Sequence, residues 1–132
     1  MSKIRVVFDT NVLVSALLSK TGSPACVLDL FLAGRLTAVY SEDVLDEYKD
    51  VLYRPKLKLL KNETDALIIA ILRCGEEVRP KPSFAPMLDE DDRMFYDAAR
   101  AAGAYLVTGN ARHFPVESFI MSPAAFLRQI KA

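Results

Sequence analysis

The run Ile4-Arg5-Val6-Val7-Phe8 has the length and apolar character of a strand, and it passes through Asp9-Thr10-Asn11 straight into the helical pattern Val12-Leu13-Val14-Ser15-Ala16-Leu17. A strand delivered into a helix by so short a turn opens a βα unit, and the same alternation recurs along the chain. Ser23-Pro24 reads as the cap and first residue of a second helix, which Gly34 closes. Thr37-Ala38-Val39-Tyr40 reads as a strand, with Ser41 capping a helix that runs to about Leu52 before Pro55 stops it. Asn62 reads as the cap of a helix from Glu63 to Arg73 ended by Gly75, and a small strand is expected around Glu77-Val78-Arg79. Pro80, Pro82 and Pro86 mark a loop leading to Asp89-Glu90-Asp91-Asp92, from which a helix reaches Ala102 and ends at Gly103. Tyr105-Leu106-Val107-Thr108 and Ser118-Phe119-Ile120 read as strands, and Ser122-Pro123 opens a final helix. Strands alternating with helices imply right-handed crossovers and a parallel sheet covered on both faces.

At 132 residues the chain has room for one domain, spanning 1–132, with a sizeable core. Its 52% apolar and 26% charged residues are those of an ordinary globular protein. No apolar run approaches the roughly 20 residues that span a bilayer, and the N-terminus lacks the pattern of a signal peptide, so a cytoplasmic protein with no membrane association is expected. Cys26 and Cys74 stand alone in apolar helical contexts, which predicts two reduced, buried thiols. A single histidine, His113, excludes a structural zinc site. The zero net charge lacks the overall basic footprint of a nucleic-acid binder, although a carboxylate cluster would cancel a basic patch in that sum.

In an open parallel sheet, ligands and catalysis gather outside the carboxyl ends of the strands, where Asp9 stands. The loop carrying Asp92, the turn Thr108-Gly109-Asn110 and the start of the Ser41–Leu52 helix should reach the same rim. The apolar stripe of that helix is Val44, Leu45, Tyr48, Val51 and Leu52. Asp43, Asp46 and Asp50 lie roughly 140–160° from its centre and Glu47 only about 100°, so Glu47 is the acid able to lean toward the rim. Each residue also has a plainer reading. Asp9 serves as an N-cap, Glu47 as a solvated surface acid, Asp89–Asp92 as charge set against a helix dipole, and Thr108-Gly109-Asn110 as a tight turn. Independent capping roles, however, would not bring three carboxylates to one end of one sheet. Such a group repels itself unless a cation is present, and hard oxygen ligands suit Mg²⁺ or Mn²⁺.

In order and spacing, several segments together resemble the PIN-domain ribonucleases, and more closely the VapC-like toxins of toxin–antitoxin systems. They are Val7-Phe8-Asp9-Thr10-Asn11-Val12-Leu13, then Ser41 with Leu45-Asp46-Glu47 and Val51-Leu52, then Asp92 ahead of Ala98-Ala99, and finally Leu106-Val107-Thr108-Gly109-Asn110 with His113-Phe114. The resemblance implies an α/β/α sandwich around a five-stranded, mainly parallel sheet, and divalent-metal-dependent endonuclease activity on RNA. It implies Asp9, Glu47 and Asp92 as catalytic and metal-binding residues, with Asn11 and Thr108 supporting Asp9. It further implies a homodimer and a small antitoxin partner. Many relatives carry another acid where this chain has Asn110, so the number of metals stays open, with Asp89, Asp91 and Asp97 the only nearby acids able to compensate. Asp97 is expected to pair instead with Arg93 on the outer face of its helix.

For RNA, the basic run Arg54, Lys56, Lys58 and Lys61 beside Tyr53 could follow a phosphate backbone, and it reads equally as a solvated loop. A haloacid-dehalogenase-like phosphatase needs a second aspartate where this chain has Asn11, and a receiver domain or dinucleotide-binding fold fails on its own motif. A non-catalytic PIN-like binding module, with Asn110 marking a decayed site, is the remaining alternative.

Overall fold

The computed structural model describes residues 3–131. Five strands, β1 (Ile4–Phe8), β2 (Leu36–Tyr40), β3 (Glu76–Glu77), β4 (Tyr105–Val107) and β5 (Ile120–Met121), form one sheet in the order β3-β2-β1-β4-β5. Every pairing is parallel, with Val6 opposite Ala38 on one side and Val7 opposite Leu106 on the other. The helices are α1 (Thr10–Leu18), α2 (Ser23–Leu32), α3 (Glu42–Leu52), α4 (Lys61–Cys74), α5 (Arg93–Ala102) and α6 (Pro123–Lys131). On one face α5 lies over β1, β2 and β4 with α3 beside it, and on the other α2 packs between α1 and α6. The fold is thus an α/β/α sandwich.

Strand β1 has neighbours on both sides and helices on both faces, which is why it reads as an almost unbroken apolar run. Val6, Val7 and Phe8 are completely buried, and Phe8 meets Phe31 of α2 edge to face with ring centroids 6.1 Å apart. Sheet order reverses between β1 and β4, since the chain first adds β2 and β3 on one side and then β4 and β5 on the other. In open parallel sheets such a switch point, at the carboxyl ends of the two strands, is where ligands bind.

Several element boundaries differ from the sequence-based expectation. The last strand is Ile120–Met121 rather than 118–120, because Ser118 lies in a turn closed by the Ile120 N–H on the Glu117 carbonyl at 3.2 Å. The third strand is Glu76–Glu77, and its ladder ends with the Val78 N–H on the Tyr40 carbonyl at 2.8 Å, where β2 itself ends. Asn62 is not a cap; the Leu60 carbonyl takes the first helical bonds, from Glu63 at 3.1 Å and Thr64 at 3.0 Å, which places Asn62 inside the first turn of α4. Cys26 and Cys74 are free thiols but exposed rather than buried, each on the outward side of its helix.

Gly75 joins α4 to β3 where no side chain fits. A Cβ there would press on the Ile71 carbonyl and come within 2.8 Å of the Ala38 carbonyl. Close passage of backbone past backbone is the use to which glycine is put here.

Candidate active site

Asp9 is the residue immediately after β1, 5% exposed, and its backbone N–H extends the ladder to the Val107 carbonyl at 3.0 Å. Its two carboxylate oxygens have separate partners. Oδ1 accepts from the Asn11 N–H at 3.4 Å as the cap of α1, and Oδ2 accepts from the Thr108 hydroxyl at 2.7 Å. Thr108 is fully buried at the end of β4, and its Oγ1 accepts from the Asn110 N–H at 3.0 Å, which leaves the hydroxyl proton directed at Asp9. The carboxylate thus caps α1 with one oxygen and is held by Thr108 through the other. Burial pushes the Asp9 carboxyl above its usual range, against the pull of the Thr108 hydrogen bond.

Glu47 is half-buried on α3 while Asp43, Asp46 and Asp50 face water, as the angular order along the helix predicts. Its pKa is raised by burial first and then by neighbouring carboxylates, Asp9 and Asp91 among them. Asp92 ends a short 3-10 turn (Glu90–Asp92) and precedes α5 without using its side chain as a cap. Burial and the Asp9 charge push its carboxyl up to about 6. Asp89 instead caps the 3-10 turn, accepting from the Asp91 N–H at 2.9 Å. Asp9, at the end of β1, thus lies within electrostatic reach of both Glu47 on α3 and Asp92 at the entry to α5.

Other residues singled out in the sequence take positions that only the fold shows. His113 lies near enough to Asp9 and Asp92 to lower the pKa of both. Asn11 supports Asp9 through its backbone N–H alone, and its side chain is exposed. Asp97 does not pair with Arg93 on an outer face. It is 7% exposed and accepts from the Ser83 N–H at 3.2 Å, while Arg93 grips Glu90, the Ser83 carbonyl at 2.9 Å and the Ala85 carbonyl at 2.8 Å. Together they strap the proline-spaced segment onto α5. In the basic run, Arg54 is paired with Asp50 at 2.7 Å and Lys61 with Asp65 at 2.9 Å, whereas Lys56 and Lys58 are exposed with no ion pair among the described residues. Tyr48, expected only as part of an apolar stripe, is completely buried and donates its hydroxyl to the Phe8 carbonyl.

The donor set suits a hard cation. Asp9 raises the proton affinity of both Glu47 and Asp92, a cost that a divalent ion beside them would reverse. Among the described residues no three acidic, histidine or cysteine side chains come together closely enough to hold a metal ion between them. Mg²⁺ and Mn²⁺ are commonly held by one or two carboxylates and keep several waters.

A PIN domain family model matches residues 5–112, which takes in every element from β1 to the turn after β4. The chain belongs to the PIN domain family. It is 36% identical over 111 residues to the uncharacterized protein MJ1680 of Methanocaldococcus jannaschii, covering 82% of this chain and 72% of that protein. Among solved structures, VapBC2 from Rickettsia felis, bound to a DNA fragment from its promoter, superposes with a TM-score of 0.57. That match covers 90% of this chain and 98% of the other at 22% identity, a likeness of fold.

Proposed function

We propose that this protein is a divalent-metal-dependent endoribonuclease, the toxin of a toxin–antitoxin pair, with Asp9, Glu47 and Asp92 as its acidic centre. The observation that carries this reading is the meeting of these three carboxylates, each with a raised pKa, at the switch point of a PIN-domain sheet. Asp9 and Asp92 would hold Mg²⁺ or Mn²⁺, with Glu47 directly or through water. Bound there, the ion supplies positive charge for the phosphate oxygens and acidifies the attacking water.

The protein's own groups do the rest. Thr108 fixes the orientation of Asp9 by its 2.7 Å hydrogen bond. Asp92 would orient the incoming water. Asn110 keeps the Thr108 hydroxyl aimed through its backbone N–H, and its amide brings no charge where many relatives have an acid. Lys56 and Lys58, free of ion pairs among the described residues, would follow the phosphate backbone, with Arg54 contributing less because Asp50 already holds it. An open rim favours unpaired RNA, which bends a phosphate into a crevice more readily than a duplex does.

The likeness to VapBC2 supports an antitoxin partner, and a homodimer follows from the family resemblance. Among the described residues no helix is long and apolar enough to cross a membrane. Asn110 favours a second reading, a PIN module that binds RNA or protein without turnover.

Incubation of structured RNAs with Mg²⁺ or Mn²⁺ separates the two. Internal cuts abolished by EDTA, and severely reduced in Asp9→Asn, Glu47→Gln and Asp92→Asn, are expected. Cleavage at the wild-type rate by purified Asp9→Asn refutes the assignment. Metal binding with no cleavage of any RNA selects the non-catalytic module.

A further inference from the structure

Three like charges on three separate elements push those elements apart, so something behind the site must hold them in register. Tyr48 touches all three. It follows Glu47 in α3, and its hydroxyl donates to the carbonyl of Phe8, the residue that precedes Asp9 in β1. Its ring stacks on Phe95, with centroids 6.5 Å apart and planes at 28°, and Phe95 lies one helical turn after Asp92. Both rings are shut away from solvent.

We propose that Tyr48 is the positioning residue of the acidic centre, setting the separations of Asp9, Glu47 and Asp92 by binding β1, α3 and α5 to one rigid ring. This rests on the reading of those carboxylates as a cation site.

The choice of tyrosine follows from the chemistry. A phenylalanine at this place in the stripe would fill nearly the same core volume, yet only a phenol ends in a donor that reaches a backbone carbonyl across the layer. An aromatic ring with two rotatable bonds transmits displacement of one element to the others without slack. Groups that orient metal ligands without touching the ion are known to alter affinity by about 10–100-fold when removed.

The test compares Mn²⁺ affinity in folded proteins, well below their melting temperatures. Tyr48→Phe keeps the ring and loses only the hydrogen bond; its Mn²⁺ dissociation constant is expected to rise about tenfold. Phe95→Leu keeps the hydroxyl and removes the stack, and should also weaken Mn²⁺ binding. Phe126→Leu is the control, since Phe126 is equally buried but packs on Tyr105 from α6, 5.5 Å away between centroids. That variant should melt earlier while binding Mn²⁺ as the wild type does. In RNA cleavage, Tyr48→Phe should lower kcat and leave KM unchanged, because the RNA-contacting surface is untouched.

Wild-type Mn²⁺ affinity in Tyr48→Phe, or equal weakening in Phe126→Leu, would overturn the positioning role and return Tyr48 to the ordinary core. Absence of Mn²⁺ binding by the wild type would overturn the cation-site reading and this inference with it. If the wild type binds Mn²⁺ but cuts no RNA, the affinity comparison alone decides for or against Tyr48.

Discussion

Replacing Asp92 with asparagine is expected to make the metal-free protein more stable at neutral pH, although it removes a member of the acidic centre. Burial and the Asp9 charge raise the Asp92 carboxyl from 3.8 to about 6, so the folded protein holds this proton more tightly than the unfolded chain does. A carboxyl raised in this way contributes stability below the unfolded value of 3.8 and loses it as the pH climbs through about 6. A shift of about two units is about 3 kcal/mol at full strength. Asp92 is only half-buried, and solvent screening brings the usable part to about 1 kcal/mol. In a domain of this size that is about 4 °C in melting temperature. Thermal unfolding in EDTA should therefore show the two proteins converging toward pH 4, with the asparagine variant melting about 4 °C higher near pH 7. Asp65 and Glu90, whose lowered pKa values move stability in the opposite direction, are common to both proteins and cancel in the difference. Millimolar Mn²⁺ should reverse the order, because an ion selective for the folded wild type stabilises it by mass action. A variant that melts below the wild type near pH 7 without metal, or an offset that does not change with pH, would refute the repulsion on which the reasoning depends.

Asn110→Asp is expected to tighten Mn²⁺ binding by adding a charge beside the Thr108–Asp9 hydrogen bond; titration calorimetry with unchanged affinity and stoichiometry would place Asn110 away from the ion. Arg93→Lys should free the proline-spaced segment, since a lysine cannot span Glu90, Ser83 and Ala85 at once, and chymotrypsin should then cut faster after the fully exposed Phe84. Gly75→Ala should cost about 2 kcal/mol or more, read by urea unfolding, because its Cβ would meet the Ile71 and Ala38 carbonyls and neither backbone can retreat.

What could be read from the sequence followed the range of the forces involved. The βα alternation is local, so the parallel sheet, the position of Asp9 after the first strand and the inward lean of Glu47 were all legible. Strand ends were less so. Ile120–Met121 is set by its partner β4, and nothing within residues 118–121 states which two of them that partner will bond. Asp97 and Arg93 stand one turn apart, the spacing of a surface ion pair, yet the loop from Val78 to Leu88 crosses α5 and captures both. That crossing is a tertiary event with no periodic trace. Tyr48 was visible as a stripe residue and invisible as a tie, because its hydrogen-bond partner lies 40 positions away.

The central strand is also the first to be made. A ribosome translating this chain releases Asp9 early, but Thr108, the hydroxyl that orients it, is 99 residues further on. Strand β4, which closes the second side of β1, also arrives late. Domains fold as units once their sequence has emerged, so no nascent fragment short of Thr108 can assemble the pocket. For a chain that hydrolyses RNA as proposed, synthesis beside its own messenger is harmless until most of the polypeptide exists. A product of interrupted translation that stops short of Thr108 carries Asp9 without the hydroxyl and the strand that fix it.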